Sequence, residues 1–400
     1  MTAAASAIPA DSLATSARRS RQLDLFRGFA AMLMVVNHAG YQLLGRDAVD
    51  GGWQTWLVFV GSAAPALFFF ATGVGSGLGT GSGEAAASAL RKIVLLLLAD
   101  ALLNWSTGRL LGLDFFGFAA VSTATLFFVR RASRPAMVAG VLLGLVLLAR
   151  FGLAPVLHGR VDDDTLLAFV TGDAGVHHVS YPLGPWLAFP LLGFLLGRRW
   201  REAGSSREAW VVGGIALLGL ASYAVLAARG APVFRWGSVS LAYFLCAVGI
   251  VATASLMADR LVLALPAISP RASLRGPASL LIVPLHYGIL GVLEAASPPP
   301  WELVAWAPGT LALVLVVFVA SRALVSGARH LGVPGAVVQG VIAAVAAAAG
   351  LAAWALAPPL LRLEVCSTGQ VVVALLLLWS SNKRGRPSGA GSGDAAVDRP

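Results

Sequence analysis

The sequence predicts an all-α fold: a polytopic integral membrane helix bundle of about 10–12 transmembrane helices. Three observations predict it. Of the 400 residues, 58% are hydrophobic and only 12% are charged, against about 25% charged in soluble domains. The apolar residues gather in runs long enough to cross a bilayer, which takes about 20 residues at 1.5 Å each. The charges lie mostly between those runs, and Lys and Arg alternate in density from one connection to the next.

Taken in order, the runs fall near 25–44, 53–75, 90–110, 114–130, 136–155, 182–198, 208–228, 238–258, 277–296, 305–325, 334–357 and 366–381. With the N-terminus in the cytosol, only Arg46, Arg109, Arg150, Arg160, Arg229, Arg235 and Arg362 fall outside, which leaves 22 of the 29 basic residues on the cytosolic side. That bias follows the positive-inside rule and predicts both termini in the cytosol. Residues 1–20 are polar and Ala/Ser-rich with no apolar core, so they read as a disordered cytosolic leader and not as a signal peptide. Residues 21–381 form one integral domain, and 382–400 a Gly/Ser/Pro/Arg cytosolic tail of the same disordered kind. No internal repeat is visible.

The net charge of +10 is scattered between apolar runs and builds no basic domain, which argues against nucleic acid as a partner. Cys246 and Cys366 lie in or beside apolar runs, which argues against a disulfide framework or zinc site. Arg outnumbers Lys 27 to 2, and Ala and Gly are abundant. That bias points to a GC-rich bacterial gene, and so to a bacterial cytoplasmic membrane.

The first span, "LDLFRGFAAMLMVVNHAG" over 23–40, carries Asp24, Arg27, Asn37 and His38 in an otherwise apolar helix. His38 lies eleven residues past Arg27, about 16 Å deeper along the axis. Eleven residues are three turns and a little more, so Arg27 and His38 share a face, and Asp24 falls on the same stripe. Ionisable groups inside a membrane are expensive and face a bundle interior or cavity. The simpler alternative is an interfacial Asp24–Arg27 pair, with His38 bonded to a neighbouring helix.

Four later stretches carry further candidates. "PALFFFATGVGSGLG" (65–79) ends in small residues that suit close helix packing and a turn; it matches no Walker pattern. "RKIVLLLLADALLNW" (91–105) buries Asp100 and Asn104 one turn apart on one face, either at a site or in a helix–helix hydrogen bond. In "YPLGPWLAFPLLGFLLGRR" (181–199), Pro182 and Pro185 suit a helix start, Pro190 a kink, and Trp186 an interfacial belt. "PASLLIVPLHYGILGVLE" (277–294) sets His286 and Tyr287 near mid-span, with Ser279 seven residues earlier on the face of His286. The external loop 156–181 holds His158, Asp162, Asp163, Asp164, Asp173, His177 and His178. Adjacent residues cannot all converge on one ion and the spacing matches no standard site, so a solvated loop near an acceptor entrance is expected, and no metal.

The opening "LDLFRGFAAMLMVVNH" resembles the family-3 membrane acyltransferases, whose first span reads Asp-x-x-Arg-Gly followed by His eleven residues after Arg. Asp24, Arg27, Gly28 and His38 occupy those places. The related heparan-glucosaminide N-acetyltransferase-like proteins share the Asp-x-x-Arg-Gly start but are expected to carry a catalytic His in the following loop, and residues 39–55 hold none. The aromatic-Pro-x-x-Pro-Trp run at 181–186 resembles a stretch of both families, and the basic pair followed by Asn at 91–104 resembles the third span of the second. The Ser-Leu-x-x-x-x-x-His pattern over 279–286 is similar to a late span of the first.

The resemblance implies acyl transfer, with cytosolic acyl-CoA, most simply acetyl-CoA, as cosubstrate and no permanently bound cofactor. Arg27, Arg91, Lys92, Arg130 and Arg131 fall on the cytosolic side, where they can meet its phosphates. The expected catalytic set is His38, Arg27, Asp24 and His286, with His38 as general base or acyl carrier and Asp24 holding the Arg27 guanidinium. Asn37, Asp100, Asn104, Trp186 and Tyr287 are expected to line the substrate cavity. The acceptor is a hydroxyl or amine of an extracytoplasmic glycan or lipid-linked molecule. The alternative is a proton-coupled transporter or exporter of glycan or lipid precursors, using Asp100, His38 and His286 as a relay.

Overall fold

The computed structural model describes residues 10–44, 61–79, 85–157, 166–172, 179–202, 239–264, 276–331 and 334–382, except 298, with scattered positions in 214–225. The bundle is built from α1 (Ala10–Ala39), α2 (Ala64–Leu78), α3 (Ala86–Ser106), α4 (Phe115–Arg131), α5 (Pro135–Leu147), α6 (Ala188–Glu202), α7 (Leu241–Ala264), α8 (Ile282–Ala296), α9 (Leu303–His330), α10 (Ala336–Leu356) and α11 (Pro359–Asn382). Among the described residues there is no strand, only one isolated bridge between Leu113 and Val179.

Among the described residues, six segments are long and apolar enough to cross a membrane: Pro135–Leu157, Tyr243–Val262, Ala278–Ala296, Leu303–Ala328, Ala336–Leu356 and Pro359–Trp379. The other long helices, α1 and α3, carry ionisable residues in their spans, while α2, α4 and α6 have 15, 17 and 15 residues. Eleven of the twelve expected runs coincide with these helices; the run at 208–228 lies largely outside the described residues.

Two boundaries differ from expectation. The polar leader is helical from Ala10, because no Gly or Pro interrupts the chain between Pro9 and Gly28. The last helix begins at Pro359, seven residues before the expected run, because Arg362 and Glu364 lower the local hydropathy without breaking the helix. The tail from 383 lies outside the described residues.

At the centre stands α2, apolar on every side and buried from Ala64 through Ala71. Its partner is α6, and glycine decides how close they come. A Cβ on Gly73 would collide with the Pro190 carbonyl, and one on Gly77 with the Phe194 carbonyl; from the other side, Gly193 and Gly197 meet the carbonyls of Phe70 and Val74. Two small-xxx-small pairs thus interlock backbone to backbone, the packing that lipid-embedded helices favour. At the opposite extreme, only 6% of the span containing α5 is buried, and 22% of those of α9 and α10, so these three form the lipid-facing periphery.

Helix ends expected on the same side of the membrane meet one another. On one side, Trp301 N donates to the Leu43 carbonyl (2.7 Å), Trp306 Nε1 to that of Ala39 (3.0 Å), and Arg150 bonds the carbonyls of Val239 and Gly172. On the other, Trp379 Nε1 donates to the Ala328 carbonyl (2.9 Å). These bonds tie neighbouring helix ends together through main-chain carbonyls.

Candidate functional site

The polar stripe on α1 is present as an ion pair followed, further along the helix, by His38. Arg27 Nη1 donates to Asp24 Oδ1 at 3.1 Å, one turn apart on the same face. Eleven residues on, His38 Nδ1 lies 2.6 Å from His286 Nε2 of α8. His286 Nδ1 in turn lies 2.6 Å from the main-chain oxygen of Ile282, and His286 is fully buried. The two rings are 17° from coplanar with centroids 4.8 Å apart. Since the centroids are far wider apart than the 2.6 Å nitrogens, the rings meet edge to edge and not face to face. Tyr287 presents its hydroxyl 3.3 Å from the second His38 nitrogen, Nε2.

Just beyond His38, α1 passes into a π-helical turn, Gly40–Leu44. Such turns are frequent at functional sites because the extra residue re-aims neighbouring side chains. Gly61 lets α1 pack closely here, since a Cβ would lie 2.8 Å from both Asn37 Cβ and the Leu33 carbonyl.

His38 opens onto a small cavity of about 30 Å³, room for about two waters. Its polar wall is Asn37, His38, Asp114, Tyr181 and Tyr287, and its apolar wall includes Met34, Pro65 and Phe115. Of the residues expected at a substrate cavity, Asn37 and Tyr287 line this one. Asp100, Asn104 and Trp186 do not line this cavity.

Asp100 has a different partner. Both its carboxylate oxygens accept from the Asp114 main-chain N–H (3.2 and 3.1 Å), and Asn104 Nδ2 donates to it at 3.3 Å. A Cβ on Gly117 would lie 2.5 Å from Asp100 Oδ2, so glycine is what admits the carboxylate to the first turn of α4. Asp100 thus holds its carboxyl group at the N-terminal end of α4, outside the cavity lining. Asp114 is the N-cap of α4, accepting from Phe115 N (2.7 Å) and from the Ser180 hydroxyl (3.0 Å). The bond from Ser180 N to the Leu113 carbonyl (3.0 Å) secures the same segment and brings Tyr181 to the cavity.

Trp186, expected at the membrane interface, is fully buried. It packs edge-on against Tyr181 (4.9 Å, 80°) and Phe69 (6.1 Å, 88°), because its helical start folds under the 179–182 segment and not out to the surface. Ser279, expected in register with His286, lies in a 3-10 turn, Gly276–Leu281, so the helix between them is not one continuous α-helix.

Asp114 and Tyr181 are cavity residues that the sequence reading does not single out. Asp before an apolar run is an N-cap signal, so Asp114 carried a legible helix-start mark but no mark of chemistry. Tyr181 is the aromatic that opens the run at 181–186, which marks a resemblance but no place at a cavity.

The cationic candidates gather at the far end of the bundle. The Arg27 guanidinium lies 3.3 Å from the Cβ position of Gly75, and that of Arg130 3.3 Å from the Cβ position of Gly79. Both arginines thus flank the glycine-rich end of α2. Arg91 and Lys92 begin α3, beside the end of α4 that carries Arg130 and Arg131, since these helices pack antiparallel. One Arg91 guanidinium nitrogen is buried with no hydrogen-bond partner. Arg131 stacks over Phe127, 3.6 Å from the ring centroid. Arg27 and Asp24, expected in the catalytic set, are about 16 and about 21 Å along the helix from His38 and line no part of its cavity.

The acidic and histidine-rich positions His158, Asp162, Asp163, Asp164, Asp173, His177 and His178 lie outside the described residues. Among the described residues no group of three metal-ligating side chains converges. Cys246 and Cys366 are buried free thiols.

An all-α multi-pass bundle that encloses a histidine pair beside a small polar cavity defines an integral membrane protein with an internal site. Over residues 19–225, just over half its length, the chain matches the family described as heparan-alpha-glucosaminide N-acetyltransferase, catalytic, and it belongs to that family of membrane acyltransferases. The matched region runs from within α1 through α6 and includes His38, Asp114 and Tyr181, while His286 and Tyr287 lie beyond it. The expected membrane-acyltransferase resemblance is borne out in the second of its two related families, although the loop histidine expected there is absent from 39–55. No curated protein and no solved structure matches the chain.

Proposed function

We propose that this transferase moves an acetyl group from cytosolic acetyl-CoA to a hydroxyl or amine of an extracytoplasmic glycan or lipid-linked acceptor. The observation that carries the proposal is the orientation of His38: Nδ1 is taken by His286, and Nε2 faces the cavity. In the reaction, the acceptor oxygen or nitrogen attacks the thioester carbon while His38 Nε2 takes its proton. The tetrahedral adduct then expels the CoA thiolate, which recovers the proton from His38. In a two-step variant, His38 Nε2 carries the acyl group between donor and acceptor.

The donor enters between the arginine-flanked glycine end of α2 and the cavity. Arg27, Arg130, Arg131, Arg91 and Lys92 take its phosphates, with Asp24 fixing the Arg27 guanidinium for that role. The axial distance from Arg27 to His38, about 16 Å, is comparable with an extended pantetheine arm, so phosphates at one end and thioester at the other suit one molecule. The small cavity favours a two-carbon acyl group over a long chain. The acceptor approaches from the opposite side, where Asp114 and Tyr181 form the wall. Both chain termini are then cytosolic, by the distribution of Lys and Arg.

The test is transfer of label from radiolabelled acetyl-CoA, presented to the cytosolic face of membrane vesicles, into envelope glycans and lipids. Wild type is expected to transfer label and an equally expressed His38→Ala to transfer none. Equal transfer by both would refute His38 as the reactive group. No transfer by either, across several acyl donors, would favour the proton-coupled exporter.

A further inference from the structure

We infer that His286 is the positioning residue that fixes the tautomer of His38, holding the proton on Nδ1 and leaving Nε2 as a bare lone pair toward the cavity. The consequence for acyl transfer rests on the function proposed above; the hydrogen-bond chain itself does not.

The chain of bonds has a direction because one end of it can only accept. The main-chain oxygen of Ile282 has no proton to give, so the 2.6 Å contact with His286 Nδ1 requires the hydrogen on Nδ1. A neutral imidazole carries a single N–H, so His286 Nε2 is an acceptor. His38 Nδ1, 2.6 Å away, must donate to it. His38 has then used its one hydrogen, and Nε2 is left basic beside the Tyr287 hydroxyl and the cavity. The near-coplanar, edge-to-edge rings are the arrangement in which an N–H points along its neighbour's lone pair.

Enzymes that use histidine as a base commonly orient it with a carboxylate behind the ring. Here no carboxylate pairs with either histidine among the described residues, and the two carboxylates nearest the cavity are engaged at the start of α4. A peptide carbonyl does the orienting through a second imidazole. The anchor is a group that does not titrate, so the tautomer is set by the main chain of α8. When Nε2 gains the acceptor's proton, the two rings can share the charge across the Nδ1–Nε2 bond.

The inference assigns His286 no contact with reacting atoms, and it predicts a tautomer that free histidine disfavours, since an isolated imidazole side chain prefers its proton on Nε2. The chain contains only six histidines, so ¹⁵N-histidine labelling in lipid nanodiscs, with His38→Gln to assign the signal, reads the state directly. Wild-type His38 is expected to show a protonated Nδ1 and a bare Nε2. His286→Leu is expected to move the proton to Nε2 and to lower kcat by about 10²-fold, the scale of lost orienting partners, with KM for acetyl-CoA unchanged. His286→Gln, whose side-chain oxygen can still accept from Nδ1, is expected to retain the wild-type tautomer and most of the rate. A wild-type His38 protonated on Nε2 would overturn the inference whatever the variants do, as would a folded His286→Leu that keeps the wild-type tautomer. The spectrum needs neither donor nor acceptor, so the wild-type tautomer without any acetyl transfer would convict the proposed reaction and leave the positioning role standing.

Discussion

At the cavity wall, the Tyr287 hydroxyl lies 3.3 Å from His38 Nε2. A neutral hydrogen bond of this kind contributes about 0.5–1.5 kcal/mol net. Tyr287→Phe is therefore expected to lower kcat by between about two- and tenfold, as measured by acetyl transfer, while leaving the apolar contacts of the ring in place. A larger loss would mean that the hydroxyl itself moves a proton. Residues of this kind announce themselves in the sequence: His38, His286, Arg27 and Asp100 stand out because a membrane span rarely tolerates them. Asp114 and Tyr181 do not stand out, since polar residues are ordinary at the end of a span. Only the pairing of Leu113 with Val179 and Ser180 brings them to the cavity.

Among the elements, the pairing of α2 with α6 is the one that depends most on missing side chains. Gly73→Ala and Gly193→Ala each set a methyl against a carbonyl of the facing helix, and overpacking of this sort costs about 1–3 kcal/mol. Both variants are expected to lower the thermal midpoint of the detergent-solubilised protein and its folded yield. Gly144→Ala is the control. It lies in lipid-facing α5 with nothing near its Cβ position, and alanine is the better helix former, so its midpoint is expected to stay level or rise. Equal destabilisation by all three would mean that the glycines act through helix flexibility and not through contact. The glycine run was legible as a packing surface; its partner was not, because small residues mark closeness without naming the neighbour.

For the whole molecule, the alternation of basic residues sets a topology that labelling can read. Ser133 and Ser297 are both exposed and lie on connections predicted to face opposite sides. The native thiols Cys246 and Cys366 are buried. In intact cells, Ser297→Cys is expected to react with a membrane-impermeant maleimide, and Ser133→Cys only after permeabilisation. The reverse pattern would invert the molecule and move the donor end of the site to the outside, and with it the proposed direction of transfer.

The sequence by itself determined the membrane class, nearly all the positions of the long described helices, and the stripe that carries Arg27 and His38. These are consequences of hydropathy and helical period, which are local along the chain. It left open that His38 pairs with His286 and through which ring nitrogens, and that Asp100, Asn104 and Trp186 lie outside the cavity beside them. Those outcomes depend on contacts between α1 and α8, α3 and α4, and the 179–186 segment and α2, elements up to 248 residues apart in sequence. Only the tertiary structure decided them, because the direction of a hydrogen bond is set by the group at its far end, here the Ile282 carbonyl, and no spacing within one helix identifies that group.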